Sequence, residues 1–243
     1  GGANVALGFA AGRNNAGSFN TFIGDSVNCN WSNATSTGDY NTITGAESFF
    51  VNTSGAANSA FGAYNLCANT TGQDNSVLGC VSLYANTTGN FNVAIGREVL
   101  YVNTTGSESI AIGHFALQNN IAGSNNVAIG SSSGRYATAG NEFYVNNQDR
   151  TDTSGDKSDS LMYGQFNATA SSQTLAINAD VTISYGLTVN SGQTNVQALQ
   201  VGGELIMCSG IGYSMRNKTE DYTLESSDCI IGVMDVYQPV TMT

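Results

Sequence analysis

Apolar and β-branched residues recur along the first half of the chain as triplets: VAL at 5 to 7, TFI at 21 to 23, SAF at 59 to 61, SVL at 76 to 78, VAI at 93 to 95 and IAI at 110 to 112. A glycine closes each one. Gly8, Gly24, Gly45, Gly62, Gly79, Gly96, Gly113 and Gly130 stand in steps of 16, 21, 17, 17, 17, 17 and 17, so the period is 17 residues. A second glycine lies seven residues earlier every time (Gly1, Gly17, Gly38, Gly55, Gly72, Gly89, Gly106, Gly123). Asn sits four before the closing glycine at Asn4, Asn20, Asn41, Asn58, Asn75, Asn92 and Asn126, with Ser109 the exception. The unit is G-x-x-N-x-x-x-G plus nine further residues.

Each triplet with its flanks predicts one short strand. Four residues past the glycine stands Phe49, Leu66, Leu83, Leu100 or Leu117, an apolar anchor read as a second short strand. Two strands and two turns then make one coil, and the period suits a flattened roll better than a helical hairpin or a hexapeptide β-helix. Coils stacking at ~4.8 Å would give a rod section of roughly 40 Å. The first glycine of the unit is expected to supply a positive-φ turn, and the Asn to close the corner through local backbone bonds. The middle strand residue is often small (Ala6, Ala60, Ala94, Ala111, Ala128). The expectation is that Val and Ile fill the coil interior while the Ala face meets a close neighbour. So thin a roll buries little surface, which calls for an obligate oligomer.

The pattern breaks in three places. Between Gly24 and Gly38 the stretch DSVNCNWSNATST exceeds the regular spacing by four residues and carries the only tryptophan, Trp31. Insertions in a solenoid become loops on one face. Packing of Trp31 onto the next coil is the preferred reading; Asn28, Asn30, Trp31 and Asn33, within residues 25 to 37, are the candidate receptor-contact loop. After Gly130 and the turn glycine Gly140, NEFYVNN replaces the apolar triplet. Beyond it the period is lost, and short strands are predicted at 161 to 166, 174 to 178, 181 to 184, 187 to 189 and 198 to 207. The domain reading is a repeat roll over 1 to 147, a polar connector over 148 to 160, a β-rich shaft segment over 161 to 207, and the start of a further β-domain over 208 to 243. The chain reads as a piece of something longer at both ends.

Composition narrows the function. A net charge of -11 with only 7 Lys and Arg leaves no basic groove for nucleic acid. No apolar run reaches the ~20 residues of a membrane span, so no membrane insertion is expected. Cys29, Cys67, Cys80, Cys208 and Cys229 follow neither a CxxC spacing nor an even framework, which favours free thiols. His114 is the single histidine and occupies a variable slot one past a closing glycine, leaving nucleophilic triads without a base. Glu47 and Glu98 share a slot three coils apart, roughly 14 Å, too far for paired glycosidase carboxylates; Glu108 lies on another side. Asp149, Asp152, Asp156 and Asp159 lack the D-x-D-x-D-G order of a calcium loop and read as a solvated turn. No catalytic residue, cofactor or metal site is therefore assigned. N-x-S/T triplets at Asn33, Asn52, Asn69, Asn86, Asn103, Asn167 and Asn217 match glycosylation acceptors, though turns select the same residues.

The words NVAIG and SIAIG, with NTTG at this spacing, resemble the β-roll head repeats of trimeric autotransporter adhesins. With NEFYVNNQDR and LMYGQFNATASSQTLAINADVTISYGLTV behind them, they resemble still more closely tail-fibre proteins of tailed bacteriophages, and DYTLESSDCIIGV resembles the opening of a β-domain found next in such fibres. The resemblance implies an all-β chain: a left-handed-type parallel β-roll solenoid of about eight 17-residue coils, an obligate homotrimer, followed by a β-rich shaft segment. It further implies a non-enzymatic virion fibre, assembled in a host cytoplasm with other virion tail proteins, that attaches to a host cell-surface receptor or glycan. A bacterial trimeric surface adhesin, located at the cell surface, is the alternative, and a polysaccharide-degrading tailspike the third.

Overall fold

The computed structural model describes residues 2 to 29 and 35 to 181, together with the backbone of four short strands beyond them. Eight triplets form parallel strands: β1 (Val5–Leu7), β2 (Thr21–Ile23), β3 (Thr42–Thr44), β4 (Ser59–Phe61), β5 (Ser76–Cys80), β6 (Val93–Arg97), β7 (Ile110–Ile112) and β8 (Val127–Ile129). Each pairs with the next at equivalent repeat positions, so Ala94 faces Ala111 and Ala111 faces Ala128 across the ladder. The result is a β-solenoid of about eight turns with coils of about 17 residues.

Each coil has one strand, not the two expected. The second half is a run of turns, because the residue four past the closing glycine is left-handed: φ is 58° at Phe49, 54° at Leu66, 49° at Leu83, and 50° at Leu100 and Leu117. A strand cannot pass through that conformation. Two further non-glycine corners per coil are also left-handed, one before the ladder Asn (Tyr40, Ala57, Asp74, Phe91) and one two past the closing glycine (Tyr64, Val81, Glu98, Phe115). Such residues cost roughly 1 kcal/mol each, and a β-branched one more. Val81→Asn is accordingly expected to raise stability by about 1 kcal/mol, read as a higher urea midpoint at unchanged slope.

The two glycines of the unit exchange the roles expected of them. The closing glycines have the positive φ, as at Gly79 (150°) and Gly96 (136°). The leading ones do not, and are glycine because the next coil is too near: a Cβ on Gly38 would lie 1.9 Å from the Gly55 carbonyl oxygen.

The Asn does not close its own corner; it joins coils. Asn75 and Asn92, both fully buried, each accept the backbone N–H of the equivalent residue one coil later at 3.1 Å, and donate to the carbonyls of Gly89 (3.0 Å) and Gly106 (2.9 Å). Ser109 keeps the ladder going, its hydroxyl accepting from Asn126 N–H at 3.2 Å. The local turn is closed by the other Asn, that of NTTG: Asn86 donates to Gly89 at 3.0 Å and also to Asn69 of the previous coil at 2.8 Å. Burying so many amides is tolerable because the ladder Asn side chains find partners, many of them on neighbouring coils.

The core is a thin seam. Ala94 and Ala111 are fully buried, and so are Leu83, Leu100 and Leu117 opposite them. The expected face assignment is thus reversed: the small residue points into the coil, where Leu from the turn side fills the space, and Val and Ile point out. Volumes compensate at both ends of the stack. Gly12 occupies a Leu slot, and a Cβ there would approach the Phe22 ring to 3.1 Å; Gly134 occupies another, where a Cβ would lie 2.9 Å from Tyr144. One large ring takes the volume of two ordinary side chains.

The stack changes at β9 (Glu142–Val145), which still runs parallel to β8; β10 (Met162–Gln165) and β11 (Thr174–Ile177) then continue the same sheet antiparallel. The predicted connector holds the single α-helix among the described residues, α1 (Thr153–Ser158), whose Asp152 cap accepts from Gly155 N–H at 2.8 Å. A compact unit spans Gly1–Thr182 and takes in that connector; Ile183–Thr243 forms a second. In the latter, β12 (Leu205–Met207) pairs with β15 (Ile230–Gly232), and β13 (Ser214–Arg216) with β14 (Asp221–Thr223), both antiparallel. The strands predicted at 181 to 184 and 187 to 189 lie, apart from Val181, outside the described residues.

Candidate interaction face

The outward residues of β1 to β8 make two rows along the stack. Parallel register lines up Leu7, Ile23, Thr44, Phe61, Leu78, Ile95, Ile112 and Ile129 in one, and Val5, Thr21, Thr42, Ser59, Ser76, Val93, Ile110 and Val127 in the other. The first row is almost wholly apolar, and much of it is open to solvent: Phe61 is 61% exposed and Leu78 52%. The face is not flat. Ser59 and Ser76 leave a hollow of about 210 Å³ bordered by Thr42, Phe61, Leu78 and Ile95. A row of bulky hydrophobes across so many coils is far more than scattered surface exposure, and it is the candidate interaction face of the described residues.

Among the described residues, the cap carries a dense cluster of polar groups that the sequence reading missed. Glu142 occupies the slot of the ladder Asn, its backbone N–H donating to the Asn126 side-chain oxygen at 2.9 Å. Its carboxylate, fully buried, takes the Lys157 ammonium at 2.6 Å and the hydroxyls of Tyr144 (2.9 Å) and Tyr163 (3.2 Å). Both phenols are pushed up, by burial first and then by the Glu142 charge, while the hydrogen bond to Glu142 raises Lys157. The signal available in the sequence was the acid itself, standing 16 residues after Asn126 where the pattern asks for an amide. With all four groups satisfied by one another, the cluster works as a plug on the last coil.

Asp156 is buried too, instead of lying in the solvated turn expected for it. One carboxylate oxygen accepts from Tyr136 N–H at 2.6 Å and the other has no partner among the described residues. Burial pushes its pKa from 3.8 to about 6, helped by Asp149 and Asp152 and opposed by the Tyr136 N–H and Arg150. The folded state then holds a proton that the unfolded chain has released, so this contribution stabilises the fold as pH falls through 6 and levels off below 3.8. Going from pH 7 to 5 should gain about 1 kcal/mol from this group. Melting curves of wild type and Asp156→Asn at the two pH values check it, since the variant should lack that increment.

Of the proposed contact loop, Asn30, Trp31 and Asn33 lie outside the described residues. Asn28 is fully buried and left-handed at φ 47°, and its amide atoms have no partner among the described residues, so its side chain is turned away from any ligand at the surface. His114 is exposed and stacks on Phe115 with ring centroids 3.6 Å apart. Glu98 is tied to Arg97 and to Gln118, both at 2.8 Å, and Glu47 is exposed. Cys29, Cys67 and Cys80 are free thiols, and burial pushes Cys67 up to about 12, which leaves it unreactive; Cys208 and Cys229 are outside the described residues. Asn52, Asn69, Asn86 and Asn103 are fully buried in the NTTG ladder, which removes them as glycosylation acceptors in the folded chain; Asn167 is exposed, and Asn217 lies outside the described residues. Among the described residues, no group of three or more His, Cys, Asp or Glu is arranged to hold a metal ion.

No family model, curated protein or solved structure matches the chain.

Proposed function

We propose that this chain is a structural, non-enzymatic segment of a homotrimeric fibre that carries attachment to a host cell surface, a bacteriophage tail fibre or appendage. The observation behind this reading is the apolar row from Leu7 to Ile129 on the outer face of the sheet. Three copies whose rows meet along one axis would cover it, and Val and Ile, not the Ala face, make that contact. The hollow at Ser59 and Ser76 would receive a side chain from a sister copy. A trimer also suits the role: several weak surface contacts held on one rod multiply into strong attachment. The resemblance of the repeat words and of the block that follows them supports the fibre over the bacterial adhesin.

Light scattering of the purified chain should give three times its 25.2 kDa mass. Ile95→Asp, which sets a charge in the middle of the row, should yield monomers or insoluble protein. A monodisperse wild-type monomer sinks the trimer. Gold-labelled antibodies against the chain should decorate particle appendages in micrographs, and the chain added in excess should compete with particle adsorption.

A further inference from the structure

The corner residue before each ladder Asn forms a third row, outside the strand: Phe19, Tyr40, Ala57, Asp74 and Phe91. Backbone bonds tie its successive coils together, Ala57 N–H to the Asp39 carbonyl at 2.9 Å and Asp74 N–H to the Ala56 carbonyl at 3.1 Å. All five are left-handed within a narrow band, φ 54° to 60°, so their Cα–Cβ bonds repeat in nearly the same direction from coil to coil. Phe19 and Tyr40 confirm it: their rings stack with centroids 5.1 Å apart and planes within 6°. One face of Tyr40 is therefore turned to the Phe19 side of the row and the other toward the side of the next coil.

At that level stands Ala57, whose methyl leaves the face bare; Tyr40 is 62% exposed. One coil further on, Asp74 closes the gap with an exposed carboxylate. The slot is one missing side chain thick, about two coil steps or ~10 Å from ring to carboxylate. Gln73, exposed and next to Asp74 in the chain, adds an amide beside the carboxylate. An uncovered ring face, a small floor and an edge of amide and carboxylate is the chemistry that takes a ring with an apolar C–H face and hydroxyl edges.

We propose that this slot, formed by Tyr40, Ala57 and Asp74, is a binding site for a neutral pyranose, the C–H face of the sugar lying on Tyr40 and a hydroxyl donating to Asp74. The net charge of -11 disfavours anionic sugars. A quaternary ammonium would be held by aromatic faces on several sides, and here there is one. The inference deepens the attachment reading by naming a ligand class and a site, and the binding it describes depends on no trimer contact.

The test uses the full chain and a panel of methyl pyranosides (glucoside, galactoside, mannoside, N-acetylglucosaminide), followed by calorimetry and by shifts of the Tyr40 ring protons. At least one should saturate with a dissociation constant on the order of 1 mM, as suits a single shallow subsite. Tyr40→Phe should bind within about threefold of wild type, since the ring face remains, and Asp74→Asn should weaken binding roughly tenfold. The decisive variant is Ala57→Phe. The row already carries Phe at this same corner in Phe19 and Phe91, so the backbone accepts the ring, which then extends the stack over Tyr40 and should abolish binding at an unchanged or higher melting temperature. Binding that survives Ala57→Phe, silence across the panel, or equal competition by choline overturns the site. A trimer that blocks adsorption while ignoring every pyranoside would refute this site and leave the fibre standing; a monomer that binds sugar would do the opposite.

Discussion

Gly79→Ala is expected to leave little or no folded protein. The added methyl would sit 1.7 Å from the carbonyl oxygen of Gly96 in the next coil, and Gly79 itself holds φ at 150°, where a side chain is strained in any surroundings. The obstacle is backbone, so no rotamer change relieves it; the coils would have to part, breaking strand pairs between β5 and β6. A loss above about 4 kcal/mol follows from overlap of that kind, enough to unfold many proteins whose whole stability is about 5 to 15 kcal/mol. Soluble yield and far-ultraviolet circular dichroism report the result. Gly2→Ala is the control, because nothing lies within 4 Å of the methyl it would add. A Gly79→Ala protein with an unchanged midpoint would mean that the coils are not stacked this closely.

Asn92→Ala should cost about 3 to 5 kcal/mol, an unusually large effect for a polar truncation. Its side chain accepts the Ser109 N–H at 3.1 Å and donates to the Gly106 carbonyl at 2.9 Å and to Asn75 at 3.1 Å. Alanine would strand the buried Ser109 N–H on the following coil, leave the Gly106 carbonyl with the Asn103 amide alone, and open a hole inside the ladder. Asn92→Ser should be milder, at about 1 to 2 kcal/mol, because Ser109 already serves in this slot with its hydroxyl accepting from Asn126. Chemical denaturation of the two variants separates the readings: equal, small losses would say that the amide is ornamental and that strand pairing alone holds the coils.

The period and the triplet strands were legible because glycine and asparagine recur at fixed offsets, and stacking at that period follows from the count alone; the second strand expected in each coil is a run of turns instead. The faces were not. A triplet such as VAI presents one small and two large residues, and alternation says only that they point opposite ways. What decides the direction is Leu100 in the turn half of the coil, which fills the interior and leaves room for Ala94 alone. Its left-handed φ is invisible to a propensity argument, since leucine disfavours that region; the inter-coil bonds impose it. The paired exceptions Gly12 with Phe22 and Gly134 with Tyr144 were a readable clue to the same interior. The plug at Glu142 escaped notice because a lone acid in a neutral repeat looks like drift. The Tyr40 slot escaped for a related reason: an alanine among aromatics draws no attention until the ring beside it is known to turn one face toward the next coil.

The Asn ladder also has a direction in time. Each ladder Asn reaches back with one amide N–H to the Asn before it, and offers its acceptor and its other N–H to groups that come later in the sequence, as Asn75 does to the Asn92 N–H and the Gly89 carbonyl. A growing chain therefore always ends in a coil whose bonding groups are already set out for the next one, and no finished coil has to wait for distant sequence to be satisfied from behind. Folding can keep pace with synthesis, one turn of the rod at a time, until Tyr144 and Glu142 close the stack. The rod is laid down like masonry, with each course the template for the one above.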